Sequence, residues 1–181
     1  MKRGLSIKSY QFKVVIIGDY SVGKSTLISK FVENKFRDQY IPTLGVNISR
    51  KSLDINDSHV DLMIWDIAGQ DMFSAVRQRF YQESEGYFIV FDTTRKSSLE
   101  HLGRWYREVL KYTRTDTIPF VIVANKIDLK EDIVISDDDI ISTLIENEME
   151  VKMIIKTSAK DGTNVEDAFE ILGKTILKKY K

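Results

Sequence analysis

Cysteine is absent from this chain of 181 residues. Its absence excludes disulfides, thiolate catalysis, zinc bound by thiols and every lipid anchor attached through cysteine. Net charge is absent as well, because 27 basic and 27 acidic side chains cancel, which leaves no global field to attract nucleic acid or an anionic membrane. No apolar run has the length of a signal peptide or a membrane span. We therefore expect a cytoplasmic protein without a nucleic-acid partner, which recognises a small molecule or other proteins by specific contacts.

The two ends of the chain carry little targeting signal. Gly does not follow Met1, so N-myristoylation is not expected. Four lysines lie close together near the other end: Lys174, Lys178, Lys179 and Lys181. This cluster either touches an anionic surface or is a solvated helix end favoured by the helix dipole. We expect short flexible ends at about 1–10 and 178–181, and peripheral membrane association only by a route that needs no cysteine lipidation.

Apolar runs typical of buried strands alternate with segments of helical period, and neither a linker nor an internal repeat interrupts them. The predicted strands are 12–17, 46–55, 60–65, 86–91, 120–124 and 153–155. Helices are predicted at 24–33, at 97–112, after Ser136 and at 165–179. The turn 56–59 joins two strands as a hairpin, which makes one edge of the sheet antiparallel. The pattern predicts one α/β domain over residues 1–181: a mostly parallel six-stranded sheet with one antiparallel edge strand and helices on both faces.

Two helix starts carry capping signals. Ser136 precedes Asp137, Asp138 and Asp139, which is an N-cap followed by acids in the first turn. Thr163 and Glu166 have the spacing of a capping box before the last helix. In a doubly wound sheet of this kind, the ligand crevice lies at the carboxyl ends of the strands.

The segment 18–25, GDYSVGKS, fits the pattern G-x-x-x-x-G-K-[ST], with an apolar strand before it and a helix after it. Gly23 permits the tight backbone path, successive N–H groups face phosphate oxygens, and Lys24 adds positive charge toward the outer phosphates. Ser25 supplies a hydroxyl for magnesium. The motif predicts a P-loop NTPase fold, and by itself it indicates only a nucleoside triphosphate. The predicted nucleotide contacts here are Asp19, Tyr20, Ser21, Val22, Gly23, Lys24, Ser25 and Thr26.

Guanine is indicated by the segment Asn125, Lys126, Ile127 and Asp128, which directly follows a buried strand. A carboxylate at Asp128 accepts two hydrogen bonds, from the ring N–H and the exocyclic amine of guanine, and adenine offers no such pair. Lys126 can lie along the base, while Asn125 can tie this loop to the phosphate loop. Further along, a second strand end carries Ser158, Ala159 and Lys160, where a backbone N–H can meet the guanine oxygen. Each segment alone is more often an ordinary loop, but the two in this order, each at a strand end, rarely occur together by chance.

A third motif, WDIAGQ at 65–70, places an aspartate at the end of the strand 60–65. Asp66 is predicted to hold magnesium, through a water. Gly69 can bring a backbone N–H to the γ-phosphate, and Gln70 can orient the attacking water for phosphoryl transfer. The alternative is a helix-start aspartate followed by a polar loop.

Three short segments and one aromatic residue add a family resemblance: LGVN at 44–47, MIW at 63–65, FIVFD at 88–92 and Trp105. With the motifs above, they make the chain resemble the small GTPases of the Ras superfamily over essentially its whole length, and most of all the Rab branch. The resemblance implies a monomeric switch that binds GDP and GTP and hydrolyses GTP slowly when unaided. It also implies a GTPase-activating protein, an exchange factor and effectors that bind the GTP state, in membrane trafficking or cytoskeletal regulation.

The resemblance assigns roles in the loop 36–43. It implies that Phe36 lies against guanine, that Tyr40 closes over the phosphates, and that Thr43 senses magnesium and the γ-phosphate. From the residues alone, Phe36 and Tyr40 are as readily loop aromatics packed on the core. The predicted catalytic residues are then Gln70, Lys24 and Thr43. The predicted metal ligands are Ser25, Thr43 and Asp66.

The chain departs from the Rab pattern at two places. Tyr20 occupies a phosphate-loop position where Rabs usually have a small residue, and its ring either restricts the arginine of an activating protein or points outward without effect. The chain ends at Tyr180 and Lys181 without the long tail and prenylated cysteines usual in Rabs. Two other functions are considered. An ATP-dependent kinase or ATPase is disfavoured by Asn125 and Asp128, and a nucleotide-loaded scaffold with negligible hydrolysis stays open.

Overall fold

The structure is a computed structural model that describes residues 8–36, 43, 45–69, 74–113, 118–151 and 153–180. Six strands form one sheet in the order β2-β3-β1-β4-β5-β6. They are β1 Lys8–Gly18, β2 Val46–Ile55, β3 Ser58–Ile67, β4 Gly86–Asp92, β5 Phe120–Asn125 and β6 Ile154–Thr157. All pairings are parallel except that of β2 with β3, which confirms the predicted mixed sheet with one antiparallel edge strand.

The hairpin between β2 and β3 is tighter than the sequence predicts. Ile55 pairs with Ser58, so the connection is only Asn56 and Asp57, and both have positive φ, 46° and 59°. A two-residue turn with both residues in the left-handed region matches the twist of the flanking strands, and Asn and Asp tolerate it best after Gly. Ser58 and His59 therefore belong to β3 and not to the turn.

Six helices connect the described strands: α1 Lys24–Glu33, α2 Ser74–Tyr81, α3 Lys96–Glu100, α4 Leu102–Tyr112, α5 Asp137–Glu146 and α6 Val165–Leu177. The sequence analysis does not predict α2. The predicted helix 97–112 is interrupted at His101, although the N–H of His101 still donates to the Ser97 carbonyl at 3.1 Å. Within the described ranges, no helix combines the length and the apolar character needed to cross a membrane.

The two predicted caps have opposite outcomes. Ser136 accepts from the N–H of Asp139, whose carboxylate accepts in return from the N–H of Ser136, so the N-cap of α5 is confirmed. The capping box at Thr163 is wrong, because the residue that caps α6 is Asn164 in the left-handed region at φ 55°. Thr163 instead donates its hydroxyl and its N–H to the carboxylate of Asp161, in a local turn that precedes the helix.

The core has two halves, one on each face of the sheet. Val14 and Ile16 of β1 face α1 and α6, whereas Val15 and Ile17 face α4 and α5. Alternation along a strand produces this division, since successive side chains point to opposite faces. Sheet and helices together bring the carboxyl ends of β1, β3, β4, β5 and β6 to one edge.

Regular secondary structure extends to both ends of the described chain. Lys8–Tyr10 pair with β3 as part of β1, and Lys178–Tyr180 form a 3₁₀ turn after α6. The ring of Tyr180 stacks on Phe12 with centroids 5.4 Å apart, and its hydroxyl donates to Glu85.

Candidate nucleotide site

A cavity of about 740 Å³ opens at the carboxyl edge of the sheet. The loops that the three motifs occupy converge on it. Most of the described residues that the sequence predicts as ligand contacts line it: Tyr20, Ser21, Gly23, Lys24, Ser25, Thr26, Phe36, Thr43, Asp66, Gly69, Asn125, Lys126, Asp128, Ala159 and Lys160. Gln70 and Tyr40 lie outside the described residues.

Four carbonyls of the phosphate loop between β1 and α1 accept hydrogen bonds from side chains. Lys24 Nζ donates to the carbonyls of Gly18 at 2.9 Å and Asp19 at 2.8 Å. The carbonyl of Tyr20 accepts from Arg95 at 2.7 Å, and that of Val22 from Asn125 at 2.9 Å. Arg95 does not line the cavity, so the Tyr20 carbonyl points away from it. Because the N–H and C=O of a trans peptide point in opposite directions, the N–H of Ser21 is on the cavity side. That arrangement is an anion-binding site at a helix N-terminus.

Lys24 is almost completely buried at the floor of this loop. Burial lowers the pKa of its amine to about 8, against the opposing pull of the Asp66 and Asp19 charges. Removal of an ammonium from water is costly unless an anion compensates it. The cavity thus holds a positive charge that a bound phosphate would stabilise.

Two glycines allow backbones to approach each other at this site. At Gly23, φ is 101° and a Cβ would lie 2.3 Å from Asn125 Nδ2, so a side chain would push the two loops apart. At Gly69, a Cβ would lie 2.5 Å from the Gly18 carbonyl oxygen and 2.7 Å from Lys24 Nζ. Gly69 therefore lies directly against the phosphate loop.

Three oxygen-bearing side chains meet beside the phosphate loop. The hydroxyls of Ser25 and Thr43 are 2.9 Å apart, and both contact Oδ2 of Asp66, Thr43 at 3.3 Å. The other carboxylate oxygen, Asp66 Oδ1, is buried and has no partner among the described atoms. Burial raises the pKa of Asp66, although the Ser25 hydrogen bond and the Lys24 charge oppose it. Hydroxyl and carboxylate oxygens with one carboxylate oxygen unsatisfied fit a hard divalent cation such as Mg²⁺.

The loops after β5 and β6 are fastened to each other and to the phosphate loop through Asn125. Its Nδ2 donates to the Val22 carbonyl, and its Oδ1 accepts from Thr157 Oγ1 at 3.0 Å and from the N–H of Ala159 at 3.2 Å. The predicted tie between Asn125 and the phosphate loop is present. Since Asn125 engages the N–H of Ala159, that group is not available to a base oxygen in this structure.

Asp128 presents its carboxylate to the cavity from a half-buried position. The hydroxyl of Ser158 donates to Asp128 Oδ1 at 2.8 Å, which fixes the carboxylate. Lys126 Nζ lies 2.6 Å from Asp92 Oδ2 at the end of β4. Burial alone would raise the pKa of Asp92, but the hydrogen bonds from Lys126 and Thr94 outweigh it and hold the pKa below its usual range. The two side chains of this loop are therefore held in place before any ligand arrives.

Three residues predicted to contact the nucleotide do not line the cavity. Val22 is fully buried, Ser158 contacts Asp128 instead, and the Asp19 carboxylate turns outward to Trp105. Asp19 and Ser158 therefore support the site from behind in this structure. Their order along the motif does not reveal this, because side-chain direction depends on partners that are distant in sequence.

The cavity has other walls that the sequence analysis misses: Ile28, Ser29, Val32, Glu33, Asn47, Ile48, Ser49 and Leu129. Ile28 and Val32 follow Lys24 by four and eight residues in α1, so helical spacing could have identified that wall. The β2 residues carry no comparable signal.

The chain belongs to the Ras family, whose model matches residues 13–178. Curated relatives agree with this assignment. The chain is 37% identical to Ras-related protein Rab-9B of Mus musculus over 176 residues, which are 96% of this chain and 86% of that protein. It is 35% identical to Ras-related protein Rab-1 of Theileria parva over 168 residues, 92% of this chain and 74% of that protein. It is 37% identical to Ras-related protein RABA5c of Arabidopsis thaliana over 169 residues, which are 93% of this chain and 77% of that protein.

The family model covers every loop around the cavity and the whole sheet apart from the first residues of β1. The family model and the relatives identify the chain as a Rab-like small GTPase with a P-loop NTPase fold, and thus as an enzyme that hydrolyses GTP.

Proposed function

We propose that this chain is a single GTPase domain that acts as a molecular switch: it binds GDP or GTP with Mg²⁺ in the 740 Å³ cavity and recruits effectors in the GTP state. One observation carries the proposal. Phosphate-loop residues, the Ser25, Thr43 and Asp66 oxygens, and the Asp128 carboxylate all face the same cavity. This spatial order corresponds to phosphates, metal and base of one guanine nucleotide.

In this proposal, the residues around the cavity have separate roles in phosphoryl transfer. The phosphate-loop N–H groups bind the β- and γ-phosphates, and Lys24 stabilises the negative charge that develops in the transition state. Ser25, Thr43 and Asp66 would hold Mg²⁺, which neutralises phosphate charge when bound. Gly69 approaches the γ-phosphate with its backbone N–H, and Gln70 orients the attacking water, by the family resemblance. Phe36 and Tyr40 would cover the base and the phosphates.

The switch itself depends on Thr43. Its hydroxyl bonds to Ser25 and Asp66, so in the proposed site the loop before β2 is tied to the metal and the outer phosphate. When the γ-phosphate is lost, that tie weakens and the loop is released. Effectors that contact this loop would then distinguish the GTP state from the GDP state. Rab relatives suggest membrane trafficking as the setting, with the protein cytoplasmic or peripheral at a membrane, and with a GTPase-activating protein and an exchange factor as partners.

Competition binding tests the proposal. A fluorescent GDP analogue is displaced by GTP, GDP, ATP or ADP, with and without Mg²⁺, from the unmodified protein and from Asp66→Ala. We expect guanine nucleotides to compete far better than adenine nucleotides, and Mg²⁺ to slow GDP release from the unmodified protein but not from Asp66→Ala. Preference for ATP would overturn the base assignment, and an equal Mg²⁺ response of both proteins would overturn the metal site. Asp61→Asn, at an exposed ion pair with Arg50, is the matched carboxylate control.

Nucleotide-dependent capture tests the switch. Protein loaded with GDP or with a non-hydrolysable GTP analogue is compared for the proteins it retains. Retention that ignores the nucleotide would favour the scaffold function.

A further inference from the structure

Side chains of the segment that follows β4 contact the phosphate loop on the side away from the cavity. The carboxylate of Asp19 accepts from Trp105 Nε1 at 2.8 Å and lies 2.7 Å from His101 Nδ1. The carbonyl of the next residue, Tyr20, accepts from Arg95 at 2.7 Å. We call Asp19, Arg95, His101 and Trp105 the outer clamp.

The outer clamp does not belong to the ligand-binding surface. None of its four residues lines the cavity, and Trp105, on the buried face of α4, is 1% exposed. The contacts of Asp19 therefore act on the loop from the side opposite the proposed phosphates. Any effect of these residues on a nucleotide must pass through the backbone of the loop.

Three of the clamp residues, Arg95, His101 and Trp105, lie on one short segment after β4 that is held by backbone hydrogen bonds. Arg95 precedes α3, its N–H donates to the Asp92 carbonyl at 3.0 Å, and its own carbonyl accepts from Ser98 at 3.0 Å. The His101 N–H continues the helical bonding to Ser97. Asp92 ends β4, the strand next to β1 in the sheet. The segment thus forms a rigid frame to which two successive phosphate-loop residues are attached.

The clamp contacts differ in strength. His101 is 45% exposed, so its pairing with Asp19 is screened by water and contributes little. The Trp105 contact is enclosed and joins a neutral donor to a carboxylate, which makes it a charge-assisted hydrogen bond in a protected place. Arg95 also polarises the peptide between Tyr20 and Ser21, because a cation at a carbonyl oxygen strengthens the N–H of the same peptide as a donor.

We propose that Asp19 is a positioning residue. Trp105 anchors the Asp19 carboxylate, and this contact, together with the Arg95 contact at the Tyr20 carbonyl, holds the phosphate loop in the shape that receives the β-phosphate. The two contacts thereby slow nucleotide release. The inference rests on the proposed function. It assigns a role in phosphate affinity to side chains that touch no nucleotide. A loop fixed in advance loses less conformational entropy when the ligand binds, and this is the source of the affinity.

The test compares ligands that do and do not reach the phosphate loop. Affinities for GDP and GMP, and the release rate of a fluorescent GDP analogue, are measured for the unmodified protein, Trp105→Phe, Asp19→Ala and the double variant. GMP lacks the β-phosphate, so a change confined to the phosphate loop affects GDP and spares GMP. Arg95→Gln removes the positive charge at the Tyr20 carbonyl and shortens the side chain, and Arg95→Lys retains a charged donor there. Arg107→Gln is the control, because Arg107 lies on the same helix and contacts Asn147 instead.

We expect GDP to be released about tenfold faster from Asp19→Ala, the size of effect that one hydrogen bond to a charged group supports. Trp105→Phe should have most of this effect, and the double variant should release GDP little faster than Asp19→Ala. Arg95→Gln should also release GDP faster, and Arg95→Lys should restore part of the slow release. GMP affinity should stay constant throughout. Equal losses of affinity for GDP and GMP, or additive effects in the double variant, would overturn the inference. The clamp would then contribute only to the stability of the fold. Failure of the unmodified protein to bind any guanine nucleotide would instead overturn the proposed function and this inference with it.

Discussion

At the scale of single residues, the base pocket depends on one carboxylate. Asp128 is half-buried, lines the cavity and is fixed by Ser158. A guanine that loses one buried hydrogen bond leaves a donor unpaired, at a cost of about 1–3 kcal/mol. We predict that Asp128→Asn lowers the affinity for GDP by about tenfold to 100-fold. Xanthosine diphosphate should bind relatively better, because its second carbonyl can accept from the new amide.

The measurement is competition against a fluorescent GDP analogue, with Asp132→Asn as the control, since Asp132 is exposed on the 3₁₀ turn after this loop. Unchanged base preference in Asp128→Asn would remove Asp128 from the base pocket.

A second residue-scale prediction concerns Tyr20, which is 42% exposed and lines the cavity while Arg95 holds its carbonyl. An activating protein's arginine contributes roughly 10³ to 10⁵ in rate where it operates. We predict that the phenol ring restricts access of such an arginine, so that Tyr20→Gly is stimulated more strongly than the unmodified protein. Single-turnover GTP hydrolysis with and without a candidate activator measures this, and Tyr20→Phe separates the ring from its hydroxyl. Equal stimulation of all three proteins would contradict the prediction.

The sequence predicts some residues of the site better than others. Lys24, Gly23 and Asp128 are predicted as nucleotide contacts and all three line the cavity, because their motifs fix short-range backbone geometry. Asp19 is predicted as a nucleotide contact, and its partner Trp105 is 86 positions away. Neither motif nor periodicity encodes such a pairing, which only the fold creates.

At the scale of secondary-structure elements, α2 and α4 are joined by a buried ion pair. Arg77 is 2% exposed, donates to Glu108 at 3.0 and 3.2 Å, and lies over the ring of Trp105 at 4.7 Å. Tyr81 donates to the same carboxylate at 2.8 Å. Removal of Glu108 takes away the carboxylate that compensates the buried guanidinium, and breaking a buried ion pair in this way costs about 3–5 kcal/mol.

We therefore predict that Glu108→Ala lowers the free energy of unfolding by about 3 kcal/mol or more. Chemical denaturation measures the change. The double variant Arg77→Met with Glu108→Leu should lose much less than Glu108→Ala, because no charge is then left buried. If the double variant is the less stable of the two, the pair is stabilising in itself and the argument from an orphaned charge is wrong.

The cap of α5 gives a second element-scale prediction. Ser136 and Asp139 exchange hydrogen bonds, which satisfies backbone donors that the helix itself leaves unpaired. We predict that Ser136→Ala lowers the free energy of unfolding by about 1 kcal/mol. Thermal denaturation measures it, beside Ser142→Ala at an exposed position inside the same helix, which should be neutral or slightly stabilising. Equal behaviour of both variants would exclude a capping contribution.

Elements differ in how well the sequence predicts them, and the buried pair explains one failure. The strands β4 and β5 are predicted within a residue, since buried strands read as apolar runs. Helix α2 is missed because Arg77 stands at a buried position, so the apolar stripe expected of a helix is broken by a charge. The long-range partner Glu108 compensates the charge at that position.

At the scale of the whole molecule, the proposed site is assembled from segments distributed over most of the chain, from the phosphate loop to the loop after β6. A ligand that holds these segments binds the folded state and not the unfolded chain. At a concentration of 100 times its Kd, such a ligand stabilises the fold by about 2.7 kcal/mol. For a chain of this length, we predict that GDP with Mg²⁺ raises the melting temperature by roughly 5–10 °C.

Differential scanning fluorimetry measures the shift, with ADP and Mg²⁺ as the base control and GDP with a chelator as the metal control. The shift should be much smaller for ADP, and intermediate when Mg²⁺ is removed, because the oxygens of Ser25 and Asp66 then remain without their cation. A fold that responds equally to ADP would place recognition in the phosphate loop alone. In that case the loops after β5 and β6 would hold the sheet edge together, as Asn125 does through Val22 and Ala159, without selecting the base.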